Sequence, residues 1–211
     1  MNQSTGQRER DLDRFLTFVD AVVAIAITLL VLPLADVAQE AGEESVTELL
    51  REHKGELLGF LLSFLVIAQL WFSQHRVVSS LVRQDPVVVR LLTLWMFTIV
   101  VLPFPTALVA ESGEEAATKT LYIGTMALSA LTLALVAVRM AQRPDLRDPG
   151  PGPDPLPAAA VVAAFLLALM ITLVFPDTGY WPLLLLLLAD PVARRWRGVR
   201  GGGPTSPRVG E

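Results

Sequence analysis

The chain has 211 residues, 53% of them apolar and only 18% charged, whereas a soluble domain carries roughly 25% charged residues. Cysteine is absent, which excludes disulfide frameworks, thiolate metal sites and cysteine catalysis. The formal net charge is −4 with no broad basic patch, so no nucleic-acid partner is expected.

The apolar residues come in long runs between short charged segments, and a helix that crosses a bilayer needs about 20 of them. Residues 15–35 form the first run, with Asp20 as its one charge and Pro33 near its outer end. It is too long for the apolar core of a cleaved signal, which has about 7–15 residues. An acidic loop follows over residues 36–56, and its Glu-rich ESVTELLREHKGELL stretch reads as partly helical. Further helices are expected over residues 57–77, 88–110, 119–140 and 156–176. A Pro/Gly linker, residues 144–157, divides the first four from the rest. The last span, 178–194, is short, with Asp190 interrupting it. Its Leu183–Leu188 run nonetheless has no better home than lipid, which can thin around a short helix. Trp181 and Trp196 sit where interfacial aromatics belong. Residues 197–211 read as a disordered cytoplasmic tail.

Charge tests this layout independently, because cytoplasmic segments hold the Lys and Arg. Six spans with the N-terminus inside put 14 of the 17 basic residues on the inner side, leaving Arg51, Lys54 and Lys119 outside. Five spans would strand the Arg194–Arg200 cluster outside. The expected fold is therefore an all-α integral membrane protein with six transmembrane helices, both termini cytoplasmic and no soluble domain.

No catalytic constellation is present, so an enzyme is not expected. His53 and His75 fall in an outer loop and at the inner end of the second helix, which argues against a shared metal site. No Gly-rich phosphate loop or hydrolase motif occurs, and no cofactor is expected. Glu43, Glu44, Glu114 and Glu115 read first as solvated charge, or alternatively as an acidic mouth that concentrates cations.

The informative segment is RFLTFVDAVVAIAITLLVLPL, residues 14–34. Asp20 lies about 9 Å deeper than Arg14, and on a different face. A carboxylate inside a span marks a site or a buried polar network. The second helix ends in WFSQHR and brings Trp71, His75 and Arg76 near that depth, so an Asp20–His75 or Asp20–Arg76 contact is expected. Such a contact would serve helix packing, gating or proton relay. Ile25, Leu29 and Leu32, spaced i, i+4, i+7, form one stripe with Thr28 beside it. Ala21, Ala24 and Thr28 form a small-residue ridge of the kind that lets helices approach closely. Spacing alone leaves the stripe facing lipid, a neighbouring helix or a pore.

The pattern Arg14-x-x-x-Phe18-x-Asp20, followed by AVVAIAITLLVLPL, resembles the first-helix signature of the transmembrane protein 175 family, the endolysosomal potassium channel and its shorter bacterial relatives. Val19 stands where the family motif has serine. Trp71 and His75 resemble a Trp…His pairing of the second helix, and VLPFPTALV resembles the end of the third; Leu92 or Thr93 stands where the family often has asparagine.

The resemblance implies that residues 1–196 are a six-helix channel domain. Four chains would form a homotetramer in the bilayer, a potassium-permeable, leak-type cation channel lined by the first helix. Ile25, Leu29 and Leu32 would be stacked apolar rings acting as gate and filter, and Thr28 a polar ring giving selectivity. Arg14, Phe18, Asp20, Trp71 and His75 would form the network that holds the pore helix. Permeant K⁺ and other monovalent cations would be the partners, with no tightly bound metal. The small size implies a multi-pass protein of a prokaryotic inner membrane. A proton-conducting channel and a proton-coupled secondary transporter remain alternatives.

Overall fold

The computed structural model describes residues 3–40, 45–112, 115–149 and 155–175. Their secondary structure is helical: α1 (Gln3–Leu29), α2 (Leu32–Glu40), α3 (Val46–Glu52), α4 (Lys54–Val78), α5 (Pro86–Val101), α6 (Pro103–Ser112), α7 (Ala116–Gln142) and α8 (Pro155–Val174), with a 3₁₀ turn at Pro144–Leu146. Five segments are long and apolar enough to cross a membrane: Arg10–Val37, Lys54–Val78, Pro86–Val109, Ala116–Gln142 and Leu156–Val174. The expected sixth span at 178–194 and the tail at 197–211 lie outside the described residues, as do Trp181, Trp196 and the Leu183–Leu188 run.

Two of the expected spans are not single helices. The first breaks at Leu30–Val31 and the third at Leu102, each break within three residues before the proline of a Val-Leu-Pro tripeptide. Proline lacks the N–H that would bond four residues back, and its ring crowds that carbonyl. The chain tightens instead: Val31 N–H bonds the Thr28 carbonyl at 3.2 Å, and Leu102 N–H bonds the Ile99 carbonyl at 3.3 Å. Each proline then sits in the first turn of the next helix, where a missing donor costs least.

α7 is the hub. It packs against α8, α5, α6 and α4, and it is buried on most sides, including Tyr122, Ile123, Met126, Leu133, Val136 and Met140. α1 lies against α5, α4 and α6, and shows the core Leu12, Val19, Val23, Ala26 and Leu30. That set recurs at helical spacing and defines one packed face.

Three polar clusters tie the bundle together. Near the end opposite the Arg-rich segments, the Ser63 hydroxyl of α4 meets Tyr122 Oη of α7 at 2.7 Å and Thr106 Oγ1 of α6 at 3.1 Å. At the Arg-rich end, Asp85 caps α5 by accepting from the Val87 and Val88 N–H groups, and Arg139 of α7 donates to both its oxygens at 3.4 and 3.0 Å. The third cluster closes the loops beside it: Val82 N–H bonds the Leu146 carbonyl at 2.9 Å, and Asp148 N–H bonds the Ser80 carbonyl at 3.0 Å. Residues 144–149 are thus a docked segment and not a free linker. Within it, the Arg143 guanidinium draws the Asp145 carboxyl down to about 2.

The hydrogen bonds from Arg139 outweigh the burial of Asp85 and hold its carboxyl below the usual carboxylate range. A depressed carboxylate stabilises the fold above its unfolded pKa of about 4, and that contribution is lost as pH falls through the lower folded value. Thermal unfolding in detergent is therefore expected to show a midpoint that drops as pH falls below about 4. Arg139→Met strands Asp85 and should cost about 3 kcal/mol at neutral pH, near the lower end for breaking a buried pair. The acid-dependent drop should shrink with it.

Candidate functional site

The site is built on the two faces of α1. Its packed face carries Val19, fully buried with 0% exposure, among Val23, Ala26 and Leu30. Val19 occupies the serine position of the motif, and an apolar side chain suits a place where a hydroxyl would need a buried partner. The opposite face is open in the single chain: Phe18, Ile25, Leu29 and Leu32 are exposed, the last three at 59%, 40% and 54%. Ala21, Ala24 and Thr28 are exposed beside them. Thr28 Oγ1 donates to the Ile25 carbonyl at 2.7 Å, so its hydroxyl hydrogen is used within the helix while its lone pairs stay available.

The apolar stripe is not on one unbroken helix. Ile25 and Leu29 lie on the last turns of α1, whereas Leu32 opens α2 beyond the break. Pro33 is the cause, since it frees the Leu29 carbonyl from the helical ladder.

Asp20 sits at the border of the two faces, and its partner differs from the expected one. Trp71 of α4 donates its indole Nε1–H to Asp20 Oδ1 at 3.0 Å. The indole is in turn placed by Phe72, with ring centroids 4.9 Å apart, and by His75 at 6.0 Å. The expected histidine is thus a neighbour of the donor, and Arg76 turns to Ser73 Oγ at 2.8 Å. The physical reason is helical register. Trp71 lies a full turn deeper than His75 along α4, and its long side chain reaches a carboxylate that the shorter imidazole does not. Arg14 lies exposed on α1, one turn before Phe18. The structure therefore joins Asp20, Trp71 and His75, and leaves Arg14 and Phe18 on the open face.

His53 bonds Glu56 Oε1 at 3.4 Å at the opposite end of α4 from His75. Among the described residues no group of three or more His, Cys, Asp or Glu is placed to hold a metal ion.

Sequence reasoning missed the Asp85–Arg139 pair, although Asp85-Pro86 carries the mark of an N-cap followed by proline at the first helical position. It also missed the Ser63–Thr106–Tyr122 cluster, whose members are 43 and 59 residues apart. Lys119 was placed with the outer-loop charges; it is buried, at 1% exposure.

Fold and site together define a multi-pass, all-helical membrane protein whose first helix is anchored by a carboxylate–indole bond and keeps one apolar face unpacked. Residues 14–103 match the model of the endosomal/lysosomal potassium channel TMEM175 family, and the match begins at Arg14 of the first-helix motif. The chain is thus similar to that family over this segment. It is 34% identical over 102 residues to a potassium channel of Streptomyces collinus, covering 48% of this chain and 49% of that one. It is 39% identical over 100 residues to a potassium channel of Chamaesiphon minutus, covering 46% and 49%. The aligned region therefore spans about half the length of these curated relatives. A crystal structure of a lysosomal potassium-selective channel TMEM175 homologue from Chamaesiphon minutus superposes with a TM-score of 0.68 at 23% identity, over 88% of this chain and 98% of that one. The two share a fold.

The Trp71–Asp20 bond should matter to α1 more than the charge of the carboxylate does. Asp20→Asn keeps the accepting oxygen and is expected to change thermal stability little. Trp71→Phe leaves Asp20 without its donor and should cost about 1–3 kcal/mol, and Asp20→Ala should lower the yield of assembled protein. Equal effects of Asp20→Asn and Trp71→Phe on the unfolding midpoint would show that the hydrogen bond is not what anchors the helix.

Proposed function

We propose that the chain is the subunit of a potassium-permeable, leak-type cation channel, with four copies placing α1 around a common axis. The observation that carries this reading is the open face of α1. Ile25, Leu29 and Leu32 stay exposed beside a ridge of Ala21, Ala24 and Thr28. All six residues lie in the segment matched to a potassium-channel family. Lipid satisfies such a face as well as protein does, and the family match favours protein and a pore.

On this reading permeation follows from apolar rings and not from fixed dipoles. Nothing in the sequence resembles a TVGYG filter, so no ring of carbonyls replaces the ion's hydration shell. A constriction at Ile25 and Leu29 closes by dewetting. An ion that crosses it does so with a poorly shared hydration shell, which favours the larger and more weakly hydrated K⁺ over Na⁺. Thr28 contributes one hydroxyl oxygen per copy at a level between Ile25 and Leu29, a polar step within the apolar stretch. Selectivity is then modest, because apolar walls offer few contacts that differ between the two ions. Asp20 and Trp71, near the Arg-rich end, hold the helix that carries the rings and do not themselves meet the ion.

Bi-ionic current across planar bilayers tests this reading. The purified protein should give a reversal potential displaced toward that of K⁺ against Na⁺. Ile25→Ala, which widens the narrowest apolar ring, should raise conductance and reduce the displacement. Because the chain has no native cysteine, Ile25→Cys supplies a clean second probe. Four thiolates on one axis bind soft divalent cations, so Cd²⁺ should block the variant and leave the wild type conducting. Silent bilayers containing intact tetramers, or a conducting Ile25→Cys variant indifferent to Cd²⁺, would remove Ile25 from the pore.

A further inference from the structure

Among the described residues, three buried polar atoms within the bundle have no hydrogen-bond partner: Gln74 Oε1, Trp95 Nε1 and Ser129 Oγ. Their residues are at most 1% exposed. In the hydrocarbon depth of a bilayer no bulk water reaches such groups, and each unsatisfied one costs several kcal/mol. One of the three is a donor, one an acceptor and one both.

Two cross-helix contacts bring them to similar depths. The Ser63–Tyr122 bond sets the register of α4 against α7, with both helices running toward the Arg-rich end. From Ser63 to Gln74 is 11 residues, about three full turns, so the two share a face of α4. From Tyr122 to Ser129 is seven residues, about two full turns, so those two share a face of α7. Gln74 and Ser129 thus stand on facing stripes. Eleven residues on α4 advance about 16 Å and seven on α7 about 10 Å, leaving Gln74 within about 6 Å of the depth of Ser129.

The Asp85–Arg139 pair sets α5 against α7 in the opposite sense. Trp95 is ten residues from Asp85 and Ser129 ten from Arg139, so both lie about 15 Å from the ion pair. Trp95 belongs to the buried stripe of α5 with Val88, Leu92 and Ile99, on the helix that packs closely against α7.

We propose that α4, α5 and α7 enclose a buried water site, in which bound water donates to Gln74 Oε1, accepts from Trp95 Nε1–H and bonds the Ser129 hydroxyl. Buried waters typically make about three hydrogen bonds to groups of this kind. Neither Gln74 Oε1 nor Ser129 Oγ bonds another side chain among the described residues, which leaves both for water. The site lies inside each protomer, separate from the open face of α1, and stands whether or not that face lines a pore.

The test is a structure of the full assembled protein at a resolution that shows ordered water, together with a double-mutant cycle on thermal unfolding using Gln74→Met and Ser129→Ala. Expected is density within about 3 Å of Gln74 Oε1, Ser129 Oγ and Trp95 Nε1. In the cycle, the double variant should lose fewer degrees than the two single losses added together, because removing both partners leaves neither stranded. If Gln74→Met does not fold, Trp95→Phe with Ser129→Ala completes the same cycle. Two results overturn the proposal: additive losses, or a direct side-chain bond among the three in place of the water.

Discussion

Hydrocarbon tolerates no unsatisfied polar group, and nearly every specific contact in this chain answers that constraint. The apolar runs reach the bilayer at little cost. The polar residues inside them find a partner within their own helix, as Thr28, Thr98 and Thr172 do, or on a second helix. Asp20 has the Trp71 indole, Ser63 has Tyr122 and Thr106, and Asp85 has Arg139. Between helices, apolar packing offers little preference for one register over another, since lipid is as apolar as leucine. The polar pairs supply the register.

α7 shows the consequence most clearly. It binds α4 through Tyr122 at one end and the cap of α5 through Arg139 at the other. A helix pinned near both ends cannot slide by a turn without breaking two buried contacts. α1 by contrast is pinned by a single side-chain bond from Trp71, and only one of its faces is packed. α1 therefore keeps an open apolar face.

The prolines divide labour in a similar way. Pro33 and Pro103 each end a run of regular helix inside an apolar segment, and the chain resumes as α2 and α6. The break after Leu29 separates Leu32 from Ile25 and Leu29, so the three residues need not move as one rigid unit. At the other end, docking of residues 144–149 on residues 80–83 gives the α4–α5 turn a backbone partner.

Much of this was legible in the sequence, because bilayer thickness converts run length directly into spanning helices, and the apolar stripe and the Arg–Phe–Asp motif could be read from residue order alone. Helical periodicity identified Ile25 and Leu29 as sharing a face. It did not reveal the break before Leu32, because an apolar run around one proline reads the same whether the helix bends or stops. The partner of Asp20 was also beyond reach. Several polar residues crowd the end of α4, and only the relative rotation of two helices decides that Trp71, and not His75 or Arg76, meets the carboxylate. Lys119 and Ser63 look like ordinary loop and helix residues until packing buries them. The sequence by itself determined where the chain enters lipid and which residues are polar there. The tertiary structure alone decided which of those residues meet, because hydrogen bonds between helices depend on rotation and register, and neither is written in the spacing along any one of them.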